Sequence, residues 1–328
     1  MRRAGAAAAL LSLALAAALV LAVRFGSVPL STAQVLAVLR GAGSPVEREI
    51  ILGLRLPRAL LGLFVGGGLA LAGATFQALL RNPLAEPYIL GISGGAAAAA
   101  VTVLALGLAV SSWTLPAAAF AGALLAIVLV FVVARSADRA LDVRVLLLAG
   151  VVVGAFFTAV IALMLSLSDA PTVRGAVFWM MGSLAGADGR SVGTAAAYTV
   201  PAALVLIALA RPLNLLAMGE ETAAYLGADV ERVKRVAFAV ASMITAAGVA
   251  VAGVIGFVGL IVPHALRLVI GPDHRALLPL SFLGGAAFLI LADLIARVVL
   301  APGEIPIGVV TALTGVPLFL VLLRRSLR

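Results

Sequence analysis

Apolar residues run along this chain in long unbroken stretches, and polar residues fall almost entirely between them. Ten stretches can be drawn, at about 5–23, 59–80, 88–108, 114–134, 145–167, 192–210, 236–252, 254–270, 277–300 and 306–323. A helix that crosses lipid needs roughly 20 apolar residues, and most of these stretches supply them. Within lipid only helices and closed barrels satisfy their backbone polar groups. Barrel strands would alternate apolar and polar positions over about ten residues. These stretches do not alternate and are rich in Ala, Leu, Val and Gly. The pattern predicts an all-α polytopic membrane protein with about ten transmembrane helices in one domain, residues 1–328.

Residues 236–270 form one apolar run, too long for one span and too short for two, with Gly253, Gly256 and Gly259 in its middle. It predicts a full helix followed by a short, broken one, packed inside protein where irregular backbone is tolerated. The first run follows Met1-Arg2-Arg3 and has the outline of a signal peptide. It reads as a retained first span, since no convincing cleavage site precedes Phe25 and further spans follow. Gly62 and Gly66, continued by Gly67 and Gly68, form a small-residue face for close helix packing, as do Gly284 and Gly285.

Composition sharpens this picture. Apolar residues make up 64% of the chain and charged residues 11%, against about half and about a quarter in soluble domains. The net charge of +9 would suggest nucleic acid in a soluble protein, but the basic residues lie in loops, where membrane topology accounts for them. With the N-terminus inside, most basic residues fall inside, so both termini are expected to be cytoplasmic. Arg24, Arg40, Arg48, Arg55, Arg58, Arg174, Arg190 and Arg297 then lie outside, and Arg40, Arg48, Arg55 and Arg58 cluster in one loop.

Much chemistry is excluded. There is no cysteine, and the histidines are His264 and His274, so no disulfide, thiolate site or histidine-rich metal relay is expected. The sole lysine, Lys234, has no glycine-rich phosphate loop before it. No nucleophile and base stand together, so the chain is not read as an enzyme. Acidic residues are nearly absent from mid-span positions, which weighs against an ion-coupled secondary carrier.

Three polar features stand out. Arg81-Asn82-Pro83-Leu84-Ala85-Glu86-Pro87 joins the second and third stretches, and its two prolines fix an irregular turn. The loop from Arg211 to Arg235 contains Glu220 and Glu221, suited to a helix N-terminus, and Gly227, suited to a stop. It predicts one short helix there and a second near Asp229 to Val233, a docking surface for a cytoplasmic motor. Asp293 and Arg297 stand four apart and can pair on one helix face.

Several segments, in order along essentially the whole chain, then carry a resemblance. They are Arg55-Leu56-Pro57-Arg58, Gln77 with Asn82-Pro83-Leu84-Ala85, Leu90-Gly91-Ile92-Ser93-Gly94-Gly95 and Trp179-Met180-Met181-Gly182-Ser183-Leu184. Gly219-Glu220 with Leu226-Gly227 follows, then Gly256-Phe257-Val258-Gly259-Leu260-Ile261-Val262-Pro263-His264 with Asp273-His274-Arg275. Asp293 with Arg297, and Glu304-Ile305-Pro306-Ile307-Gly308, complete the set. In these the chain resembles the iron-chelate and cobalamin uptake permeases of the ABC importer class, the type II importers.

The resemblance implies the type II importer permease fold, a homodimer, two ATP-binding cassette subunits that use ATP and Mg, and a periplasmic or lipid-anchored substrate-binding protein. No cofactor or metal is implied for this chain. It implies that Arg55, Arg58 and Arg297 receive acidic residues of the binding protein, and that Asn82, Pro83, Leu84 and Ala85, with Leu141, Asp142 and Val143, form a cytoplasmic gate. Gly219, Glu220, Glu221, Ala224, Leu226 and Gly227 would couple to the ATPase. The implied cargo is a metal chelate, ferric siderophores first, cobalamin or haem next, and the implied location is the bacterial inner membrane.

Overall fold

The computed structural model of the chain describes residues 2–137 and 143–326. Leu141 and Asp142 lie outside the described residues. Among those described there are helices and no strands. In chain order they are α1 (Arg2–Arg24), α2 (Thr32–Leu39), α3 (Pro45–Arg48), α4 (Leu56–Leu79), α5 (Ile92–Ala105), α6 (Thr114–Ala137), α7 (Val143–Ser166) and α8 (Ala170–Met180). Then follow α9 (Gly189–Ala208), α10 (Ala210–Ala217), α11 (Glu220–Tyr225), α12 (Val230–Ala252), α13 (Val258–Ile270), α14 (His274–Val298) and α15 (Ile307–Ser326). A π-helical turn, Glu49–Arg55, runs into α4, and a 3-10 turn, Pro87–Leu90, precedes α5.

By length and composition, 7 described helices can cross a membrane: α1, Pro45–Leu79 ending in α4, α6, α7, α9, α12 and α14. The shorter apolar helices α5, α13 and α15 account for the other stretches read from the sequence. The third is shorter than expected, because Gly91 takes a left-handed φ of 73° and separates the 3-10 turn from α5.

Helix α4 is the axis of the bundle and is buried from Leu69 to Leu79. It packs on α14, α12, α13 and α9. Its glycines make these approaches possible. A Cβ on Gly66 would lie 2.4 Å from the Gly285 carbonyl oxygen, and one on Gly285 would lie 2.3 Å from that of Gly66. A Cβ on Gly73 would stand only 1.9 Å from the Gly259 carbonyl oxygen. Lipid is as apolar as leucine, so such helices associate through close dispersion contacts rather than through water exclusion.

The run 236–270 is a full helix and a short one, as the sequence predicts. Gly253 and Phe257 bound the break, with φ of 69° and 70°. Its surroundings are backbone-rich. The Ser183 N–H donates to Ala252 O at 2.8 Å, and the Ile307 and Gly308 N–H groups donate to Gly182 O and Met181 O at 3.2 and 3.0 Å. The ends of α8 and α12 and the start of α15 are thus knotted together, which satisfies irregular backbone inside protein.

Two expectations for the 211–235 loop are corrected. Its first part is helix α10, whose Leu213 and Leu216 are buried on one face. Asp229 to Val233 is not a separate helix but the start of α12, where the Asp229 carboxylate accepts from Arg232 N at 3.0 Å. The N-cap lengthens a helix that the charged residues Glu231, Arg232, Lys234 and Arg235 had disguised as loop.

Candidate functional site

Three polar constructions are spread along the bundle. At the end where α4 begins, Arg55, Arg58, Asp293, Arg297 and Glu304 come together. Arg58 Nε donates to both Asp293 carboxylate oxygens, at 2.9 and 3.0 Å, and its two terminal nitrogens reach Glu304 at 3.0 and 2.9 Å. The expected pair of Asp293 and Arg297 is present but longer, at 3.5 Å.

Arg55 and Arg297 are only 4% and 5% exposed. Both serve the C-terminus of α1. Arg55 donates to Val23 O at 3.0 Å, to Arg24 O at 2.9 Å and to Val28 O, and Arg297 donates to Ala22 O at 2.5 Å. Cations belong at a helix C-terminus, where carbonyls lack intrahelical partners. In the single subunit, then, each of the three arginines expected at a docking face already donates to groups of its own chain. They line a cavity of 220 Å³ together with Ser27, Leu54 and Glu304.

At the other end of α4, Gln77 is a buried junction. Its Nε2 donates to Gly259 O, Leu260 O and Ala85 O at 3.3, 3.2 and 3.4 Å, and its Oε1 accepts from Arg267 Nη2 at 2.9 Å. The loop 80–91 continues from there. Asn82 Oδ1 accepts from Leu84 N at 2.9 Å, the tight turn the sequence predicts. Pro83 and Leu84 are exposed and Ala85 is buried. Glu86 then turns inward and accepts the Phe257 N–H at 2.5 Å. Burial pushes its carboxyl up to about 7, against that hydrogen bond, which lowers it. The Tyr88 hydroxyl donates to Ile255 O. Burial, and then the neighbouring Glu86, drive this phenol well above its ordinary value.

The third construction carries α10 and α11. Lys234, 4% exposed, donates to Glu220 Oε2 at 2.8 Å. Gly219 and Gly227 bracket α11 with φ of 116° and 83°. Glu221, Ala224 and Leu226 are exposed, and Tyr225 is 91% exposed. Asn214 of α10 is bonded to the start of α14, donating to Asp273 Oδ1 at 2.7 Å and accepting from His274 N at 2.9 Å. The Asn214 side chain and the Arg275 N–H hold the Asp273 carboxyl below its usual range. Among the described residues no cluster of His, Cys, Asp and Glu could hold a metal ion.

The model of one protein family, the FecCD transport family, matches residues 14–325. The chain belongs to the FecCD transport family. It is 47% identical to the cobalamin import system permease protein BtuC of Halobacterium salinarum, over 86% of this chain and 75% of that one. It is 42% identical to the vitamin B12 import system permease protein BtuC of Escherichia coli O157:H7, over 86% of each. It is 40% identical to YvrB of Bacillus subtilis, an uncharacterized ABC transporter permease, over 88% of this chain and 82% of that one. A solved ABC transporter, provisionally assigned to the metal-chelate type and in an inward-facing conformation, covers 96% of the chain with a TM-score of 0.87 and 32% identity. The fold is that of an ABC type II importer permease.

Sequence reasoning missed several features of this FecCD chain. Residues 25–55 read as a loop, yet they hold α2, α3 and the π-helical turn. The signal was present: Ser31 with Gln34, and Ser44 with Glu47, are capping boxes, and both close as such. Glu304 appeared only inside a motif, and Lys234 only as the chain's sole lysine. Their roles depend on partners 246 and 14 residues away. Val143 opens α7.

Proposed function

We propose that two copies of this chain form the membrane path of an ATP-driven importer in the bacterial inner membrane, and that the cargo is cobalamin. The sequence resemblance puts ferric siderophores first, although its motifs do not separate them from cobalamin or haem. The observation that reverses the order is 47% identity over 86% of the chain to a cobalamin import system permease. ATP and Mg are used by two separate cassette subunits, since this sequence has no phosphate-binding loop. An ion-coupled carrier finds little support: the acid buried beside α4, Asp293, is neutralised by Arg58.

In this reading both termini are cytoplasmic, and the Arg58 end of the bundle faces outward. A substrate-binding protein presents carboxylates to this end at Arg58, while Arg55 and Arg297, buried and committed to the end of α1, add positive charge behind it. Arg58 is the accessible member, because its partner Glu304 is itself partly exposed and can be exchanged for an incoming acid. Such exchange favours specificity and encounter rate over raw affinity. Met180, Met181, Val254, Gly256, Phe257, Gly308 and Leu313 line an open groove without a charged residue. That suits a wall past which a large chelate slides without being held.

The inner gate is Asn82, Pro83, Leu84 and Ala85, with Leu141, Asp142 and Val143. The coupling segment is Gly219, Glu220, Glu221, Ala224, Leu226 and Gly227, with Tyr225 at its tip. Uptake in a strain lacking this chain tests the cargo, with radiolabelled cyanocobalamin set against a labelled ferric hydroxamate. Loss of cobalamin uptake, restored by the wild-type chain, supports the proposal. Loss of iron uptake alone returns siderophores to first place.

A further inference from the structure

Loop 80–91 and the break at 253–257 are 160 residues or more apart in sequence, yet they are joined at two points, with a third contact beside them from α4 to α13. Glu86 takes the Phe257 N–H. Tyr88 holds the Ile255 carbonyl. Gln77, at the root of the loop, reaches Gly259 O, Leu260 O and Ala85 O. The Phe257 N–H and the Ile255 carbonyl are backbone groups that the broken helix leaves without intrahelical partners. Phe257 is the residue before α13, so its N–H belongs to the set of free donors at a helix start. It also has a left-handed φ of 70°, a strained state for a large side chain that persists only where surroundings hold it.

We propose that Glu86 and Tyr88 form a latch that fastens loop 80–91 to the break between α12 and α13, so that the two switch as one unit during transport. Both are positioning residues. They act by holding the backbone of Ile255 and Phe257, beside the groove-lining residues Val254 and Gly256. An opening at Asn82–Ala85 would thereby reshape that groove wall. The linkage rests on the reading of Asn82–Ala85 as a gate.

The chain has no cysteine, so single reporters can be introduced without background. Leu84→Cys reports on the loop and Val254→Cys on the break, each in the full transporter with its ATPase subunits in proteoliposomes. Maleimide labelling is followed without nucleotide and with ATP and vanadate. In the otherwise wild-type transporter both rates are expected to change together with nucleotide. Glu86→Ala with Tyr88→Phe should raise nucleotide-free labelling of Val254→Cys by about tenfold, as expected when two buried hydrogen bonds, each of modest net worth, are lost together. It should also leave the break unresponsive while the loop still responds. Glu86→Gln, which keeps an acceptor oxygen, should restore most of the linkage and guards against a variant that fails to fold. Reporters that still change together in the double variant overturn the latch alone. A Leu84→Cys rate insensitive to nucleotide in the wild-type background overturns the gate reading, and the linkage with it.

Discussion

Arg58 grips Asp293 across 235 residues of sequence, with Nε 2.9 Å from one carboxylate oxygen and 3.0 Å from the other. Asp293 is 2% exposed. Removing Arg58 leaves that buried acid with Arg297 at 3.5 Å alone. Arg58→Ala is expected to destabilise the folded bundle by about 3–5 kcal/mol, because a buried charge loses its partner. Glu304→Gln, at a partly exposed site, should change stability by at most about 1 kcal/mol. Thermal unfolding in detergent compares the two. Equal effects would mean that burial at Asp293 is not what makes the pair matter.

Glu304→Gln has a second use. It frees the terminal nitrogens of Arg58, which Glu304 occupies at 2.9–3.0 Å. Binding of the substrate-binding protein to reconstituted transporter should become tighter, and more so at low salt, where surface charges are less screened. Unchanged affinity at every salt concentration would remove Arg58 from the docking face.

Glu220 and Glu221, adjacent in sequence, should separate in function. Glu220 is held by Lys234 within the chain, whereas Glu221 and Tyr225 are exposed. Glu220→Ala should lower the stability of the folded chain, because Lys234 is left buried without its anion. Exchanging the two, Glu220→Lys with Lys234→Glu, should recover part of the loss. Tyr225→Ser with Leu226→Ser should leave stability unchanged and weaken binding of the ATPase subunits. Pull-down of those subunits beside a melting curve reads both effects.

The latch should respond to pH through Glu86. Its carboxyl stands at about 7 in place against an ordinary 4.5. A solvated Glu86 therefore ionises first, and the latched state binds the extra proton between those values. The latch is firmest below pH 4.5 and weakens as pH rises toward about 7, then stays level. Labelling of Val254→Cys, normalised to a cysteine at the exposed Ser111, should rise over that window by up to about tenfold per pH unit. Glu86→Gln should flatten the curve. Tyr88 is the ionisable neighbour, and it stays protonated throughout.

Gly73→Ala should be among the most damaging single changes. Its Cβ would meet the Gly259 backbone 1.9 Å away, and backbone does not yield as a flexible side chain does. A loss of about 3 kcal/mol or more is expected, at the upper end of overpacking. Gly5→Ala, where nothing lies within 4 Å, is the control. Yield of monodisperse protein from membranes is the measurement.

Helix positions were legible because lipid imposes a local rule: a segment that crosses must be long, apolar and helical. That rule marked all ten stretches, including the break after Ala252, where Gly253 shows in the sequence itself. The helices of residues 25–55 escaped because they are short and lie in a loop with no lipid-length signal. Their capping boxes were the clue. The candidate docking arginines were found by position but not by state. Sequence shows that Arg55 and Arg297 are charged. It does not show that the end of α1 is brought against them, leaving Val23 O, Arg24 O and Ala22 O to be satisfied.

The sequence by itself determined the all-α membrane class, the places of the apolar helices and the family, because each follows from residue type and order along the chain. Tertiary structure alone decided which charge meets which. From the sequence, Arg58, Glu220 and Glu86 could each have been a free charge in a polar loop. Each was instead drawn to a partner by the cost of leaving a buried charge or backbone group unpaired. That cost is set by what the folded bundle excludes from water, and no run of neighbouring residues carries it.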